Sequence, residues 1–119
     1  MSYIDGFVIP VPAEKKQAYI DMAKKAQAIY LEYGALRVVE SWGDDLPKGK
    51  VNDFFTAVIA EPNEGVIFSW IEWPDKATRD AGNKKIMTDH RMQMPDEMPF
   101  SGARLIYGGF STLLDSNKK

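Results

Sequence analysis

A chain of 119 residues, 45% of them hydrophobic, has the size of one domain and enough apolar material for one core. Its formal charge of −2 argues against the basic surface that attracts nucleic acid or anionic membrane. The absence of cysteine excludes disulfides, thiol nucleophiles, iron–sulfur clusters and thiolate zinc sites.

The opening residues Met1-Ser2-Tyr3-Ile4-Asp5-Gly6 carry no basic segment ahead of an apolar run, so no secretory signal is expected. Apolar stretches fall far short of the roughly 20 residues that a membrane span needs. A cytoplasmic protein is the expectation, as one domain over 1–119 with a polar tail at 115–119. The lysine pairs at 15–16, 24–25 and 84–85 have acidic neighbours and read as solvated helix faces.

In chain order, residues 3–11 read as a strand, with Tyr3, Asp5, Phe7 and Ile9 on one face and Ile4 and Val8 on the other. Helical spacing then runs over 13–33, with Tyr19, Met22, Ala23, Ala26, Tyr30 and Tyr33 inward, Asp21 and Lys25 spaced for an ion pair, and Gly34 as the stop. Residues 36–43 alternate as a second strand, Leu36, Val38, Glu40 and Trp42 against Arg37, Val39 and Ser41. A polar loop follows at 44–52, and 53–60 satisfies a helical turn as well as a strand.

After a turn at 61–65, residues 66–73 form the strongest strand pattern, ended by Pro74. Asp75 suits the N-cap of a second helix reaching Thr88, with Ala77, Ala81, Ile86 and Met87 inward and Gly82 weakening it by about 1 kcal/mol. Residues 89–102 are irregular. The last strand is expected over 103–114, bent or bulged at Gly108-Gly109.

This order predicts an α+β fold of ferredoxin-like βαββαβ type, with both helices on one face of an antiparallel sheet. In the third strand, Val66, Phe68 and Trp70 lie on one side and Ile67, Ile71 and Trp73 on the other, the mark of burial on both faces. Two helices cover one face only. The second face therefore predicts a homodimer whose sheets pack face to face as a dimeric α+β barrel.

The strings YIDGFVIPVP, VIFSWIEW and MPFSGARLIYGGF resemble the DUF1428 family, and the likeness runs from Tyr3 to about Leu114. The resemblance implies a dimeric α+β barrel, similar in shape to the antibiotic-biosynthesis monooxygenases. It implies no activity, because the family is named for having none established. Some members carry a label connecting them with signal-recognition-particle RNA, to which the acidic balance here gives no support. The family pattern falls on Asp5-Gly6-Phe7, Gly43-Asp44-Asp45, Phe68-Ser69-Trp70, Asn83, Met87, Asp96, Met98-Pro99-Phe100, Gly102, Arg104 and Tyr107-Gly108-Gly109-Phe110. His90 departs from it, since members tend to have Pro before the Arg.

Asp5 and Glu40 interrupt apolar strand faces, and Arg104 opens the last strand, which this topology sets beside the first. Each carboxylate reads either as a general acid or base with a raised pKa or as half of a structural ion pair with Arg104. A pocket would be lined by Phe7, Trp42, Phe68, Trp70 and Tyr107, residues that serve equally as plain core. Asp44, Asp45 and Asp53 lack the ligand spacing of a metal loop, and the methionines 87, 92, 94 and 98 suit gap-filling at an interface. Gly108-Gly109 lacks the setting of a nucleotide cradle. No cofactor and no metal are expected. The favoured function is binding of a small molecule by the dimer. The alternative is a cofactor-independent monooxygenase- or isomerase-like enzyme using Asp5 or Glu40, and an interaction or RNA-associated module ranks behind both.

Overall fold

The first strand, β1 (Tyr3–Pro12), ends on a proline whose extended backbone turns the chain into a single 3-10 turn, Ala13–Lys15. The computed structural model describes residues 2–92 and 97–117. Helix α1 (Lys16–Glu32) follows, starting three residues after the position its periodicity suggested because that turn intervenes. It stops at Gly34, whose φ of +110° lies in the region that favours glycine. Strand β2 (Arg37–Trp42) comes next.

The ambiguous segment resolves as a short helix, α2 (Phe54–Ala57), closed by a capping box. The Asp53 carboxylate accepts from the Thr56 amide at 2.7 Å, and the Thr56 hydroxyl accepts from the Asp53 amide at 2.9 Å. Strand β3 (Glu64–Trp73) leads to α3 (Lys76–Met87), capped by Asp75, which accepts from the Thr78 amide at 2.7 Å. A 3-10 turn (His90–Met92) and β4 (Ile106–Ser111) complete the described elements.

The sheet has four strands in the order β2-β3-β1-β4, all paired antiparallel. Its register sorts side chains strictly by parity. One face carries Tyr3, Asp5, Phe7, Ile9, Ile67, Ser69, Ile71, Trp73, Val38, Glu40 and Trp42. Helices α1 and α3 pack on this face in two neighbouring clusters. Tyr3, Ile29, Ala35, Ile71, Trp73 and Ile86 make one, Ile9, Val11, Tyr19, Ala23 and Ile67 the other, with Phe7 touching both. The opposite face carries Ile4, Val8, Val39, Phe68, Trp70, Ile106 and Phe110, and no long helix covers it. Among the described helices α2 approaches it, setting Phe54 edge-on to Phe68.

Three expectations are corrected. β4 pairs without interruption from Tyr3↔Ser111 to Val8↔Ile106, so Gly108-Gly109 makes no bulge. The missing side chain at Gly109 instead leaves room for the Tyr3 ring, which a Cβ there would strike. Helix α3 turns Gly82 and Ile86 inward while Ala77, Ala81 and Met87 are exposed. A Cβ on Gly82 would meet the Trp73 ring at 2.8 Å and the Tyr33 carbonyl at 2.9 Å, so this glycine is the contact point between helix and core. Asp21 takes a hydrogen bond from Gln17 at 3.0 Å rather than an ion pair with Lys25.

Candidate functional site

Midway along the covered face, the register aligns Tyr107, Phe7, Ser69 and Glu40 in one row across all four strands. Phe7 and Tyr107 stack, their centroids 6.1 Å apart. At the other end of the row Glu40 is held by two hydroxyls: Tyr19 of α1 donates to Oε1 at 2.7 Å, and Ser69 donates to Oε2 at 3.0 Å. Burial raises the Glu40 pKa above the ordinary carboxyl value, and the two hydrogen bonds only partly offset it. Tyr19 is raised as well, first by burial and then by the Glu40 charge, so its phenol stays protonated and donates.

A cavity of about 270 Å³ opens beside this pair, between α1 and the sheet. Glu40 and Tyr19 supply its polar floor, Trp42, Ile67, Ile20 and Ala23 its apolar wall. Lys16 places its Nζ 4.7 Å from the centre of the Trp42 ring. The carboxylate offers more acceptor sites than the two hydroxyls occupy, so a ligand hydroxyl or N–H can still be received.

Asp5 lies on the same face in a different setting. Its carboxylate accepts from Trp73 Nε1 at 3.0 Å and from Arg79 Nε and Nη2 at 3.1 and 2.8 Å. Arg79 in turn sits over the Tyr3 ring, 5.1 Å from its centre. Asp5 is 5% exposed, and its oxygens are enclosed by these partners. The expected pairing with Arg104 does not form. Arg104 lies before β4 begins and grips Glu64 with two contacts of 2.6 and 2.7 Å, while also donating to the Ile59 carbonyl at 2.7 Å. That grip holds the Glu64 carboxyl below its ordinary pKa.

The aromatic candidates divide between two places. Phe68 and Trp70 line a hollow of about 530 Å³ on the open face, with Ile4, Val8, Ile106 and Phe110, whereas Phe7 and Tyr107 border it from strand positions whose side chains belong by register to the covered face. Trp42 belongs to the Glu40 cavity. Strand parity already separated Trp42 from Phe68, because Trp42 pairs with Ile67.

Sequence reasoning missed Tyr19, Ser69 and Arg79 as members of these sites. Ser69 was legible as the cross-strand partner of an inward Glu40, and Tyr19 as an inward phenol on α1. Arg79 offered no local signal, since it reaches Asp5 across 74 positions of chain. Asp53 serves as a helix cap, which explains one of the loop acids. His90 lies in the 3-10 turn, away from both cavities, next to Asp89 and Arg91. Met87 is exposed and Met92 packs against the Trp73 cluster, while Met94 and Asp96 lie outside the described residues.

The sequence has relatives among known proteins. The family model described as "Protein of unknown function (DUF1428)" matches residues 2–102. The "Uncharacterized protein YbaA" of Escherichia coli strain K12 is 57% identical over 116 residues, covering 97% of this chain and 99% of the relative. The protein of the same description from Shigella flexneri matches to the same extent.

Proposed function

The chain belongs to the DUF1428 family, whose description assigns no activity, and from the geometry we propose that it binds a small molecule in the Glu40 cavity and works as a homodimer. The observation that carries the binding reading is a half-buried carboxylate with neutral partners only, opening onto a cavity with an aromatic wall. Few convergent polar groups in an apolar hollow is the usual make-up of a ligand site. A volume of about 270 Å³ suits a molecule of one or two rings. The test is native mass spectrometry of gently purified protein together with its Glu40→Gln variant. Bound mass on the first and not the second supports the site, and bound mass retained by Glu40→Gln overturns it.

The strand order, with both long helices on one face, supports a ferredoxin-like sheet, and the open face supports pairing with a second copy as a dimeric α+β barrel. At the centre of that face the side chains are aliphatic or aromatic. Arg37 and Glu72 stand opposite each other at its margin and offer both charge signs to a twofold partner. Sheets packed about 10 Å apart would fill the hollow with the partner's side chains. A monomeric mass at micromolar concentration would sink this part of the reading.

One observation favours an enzyme as the second reading. Burial holds Glu40 closer to neutral pH than an ordinary carboxyl, beside a phenol, as a general base requires. It would move a proton without a cofactor, as in an oxygenase or isomerase. Under that reading Glu40→Gln keeps ligand affinity and loses turnover; under the binding reading affinity itself falls.

A further inference from the structure

Helix α1 contributes a stripe to the Glu40 cavity: Lys16, Ile20, Ala23, Lys24 and Gln27 recur at helical spacing and all border it. The two lysines are exposed, eight positions and so about 12 Å apart along the helix axis. Among the described residues neither takes part in an ion pair, although Lys15 and Lys76 each find a carboxylate. Lys16 instead lies over the Trp42 ring, which sets its ammonium at the aromatic wall. The cavity lining therefore combines two exposed cations, an apolar and aromatic wall, and one carboxylate bonded to one phenol.

With Glu40 ionised the lining carries one net positive charge, which a monoanion neutralises. An anion cannot approach Glu40, so its charged end belongs at the lysines and its other end has to give a proton donor to the carboxylate. The ring between them lies against Trp42. We propose that the ligand is a small planar acid bearing a hydroxyl or N–H at the end remote from its carboxylate, and this rests on the binding reading above.

Para-hydroxybenzoate, benzoate and para-hydroxybenzamide separate the parts, because the second lacks the donor and the third lacks the charge. Binding is followed by amide NMR of Glu40, Ser41 and Trp42 in the full chain. Para-hydroxybenzoate is expected to bind about tenfold more tightly than the neutral amide, from two partly exposed charge contacts. The Lys16→Met/Lys24→Met double variant should lose that preference and bind acid and amide alike. Benzoate should bind more weakly than para-hydroxybenzoate in the wild type and by a smaller margin in Glu40→Gln, whose neutral oxygen is the weaker acceptor. Equal binding of acid and amide by the wild type, or a preference that survives in the lysine variant, overturns the inference while the cavity remains a binding site. Failure of all three probes to move these amides overturns the inference, and the native mass spectrometry described above then decides the binding reading separately.

Discussion

The two faces of the sheet treat polarity in opposite ways. The covered face buries Asp5 and Ser69 and half-buries Glu40 among its apolar residues, and each has found hydrogen-bond partners. The open face presents Ile4, Val8, Phe68, Trp70, Ile106 and Phe110 with no buried polar group among them. Polar groups under a helix layer must be paired in place, because water cannot reach them later. If the open face packs on another sheet, as proposed, an apolar centre is what it needs. Within the covered face the contrast repeats on a smaller scale. Asp5, locked by a guanidinium and an indole, has no site left to offer, whereas Glu40, held by two hydroxyls, keeps acceptor capacity beside a cavity.

The largest effect should come from breaking the open face. Phe68 is 44% exposed and central to the hollow, so in a twofold pair its loss is felt twice. Phe68→Glu is expected to weaken self-association by about 3–6 kcal/mol, more than a hundredfold in Kd, from two lost aromatic burials. Sedimentation velocity should show a monomer whose circular dichroism is that of the wild type. A variant that still sediments as a dimer at the same concentration would mean that another surface does the pairing.

The covered face is tested next at Arg79. Arg79→Met leaves the Asp5 carboxylate buried with only the Trp73 indole, which should cost about 3 kcal/mol and lower Tm by roughly 10 °C. Restoring part of that loss with Asp5→Asn in the same chain would show that the unpaired charge, rather than lost packing, is responsible. If Arg79→Met is as stable as the wild type, Asp5 is not enclosed as described, and the contrast with Glu40 disappears.

The difference between the faces was half legible in the sequence. The two-sided apolar pattern of β3 announced an uncovered face, and the stop at Gly34 and the cap at Asp75 bounded both long helices correctly. What failed was pairing at a distance. Arg104 was the cation closest to the expected neighbour of β1, but it precedes β4 and reaches Glu64 instead. Arg79 comes to Asp5 because α3 packs on the covered face of the sheet, and no local pattern encodes a contact across 74 positions. The same limit misread part of the face of α3: Ile86 is inward as expected, but the alanines are exposed, and the close approach to Trp73 requires Gly82.

That contact supplies a smaller and sign-sensitive test. On an exposed helix, Gly→Ala stabilises by about 1 kcal/mol. At Gly82 the added methyl meets the Trp73 ring and the Tyr33 carbonyl, one of them backbone that cannot yield cheaply. Gly82→Ala is therefore expected to destabilise by about 1–2 kcal/mol despite its better propensity, as measured by urea unfolding. A stabilised variant would show that α3 stands further from the sheet.

The smallest effect bears most directly on Glu40. Its folded pKa lies above the ordinary carboxyl value, so the native protein holds this proton over a range of pH where the unfolded chain has released it. Stability must then decline as pH rises from about 4.5 through the raised pKa, and level off above it. Glu64 works in the other direction, since its lowered pKa makes stability fall on acidification below 4.5. The wild-type curve sums both, and Glu40→Gln isolates one of them. Its amide can accept from one of the two hydroxyls and donate to the other, so the fold should survive. The stability difference, variant minus wild type, should climb with pH across the Glu40 window and stay flat above it. A difference that does not vary with pH would place Glu40 at an ordinary pKa, in an environment no drier than the surface, and would remove the physical basis for treating it differently from any exposed carboxylate.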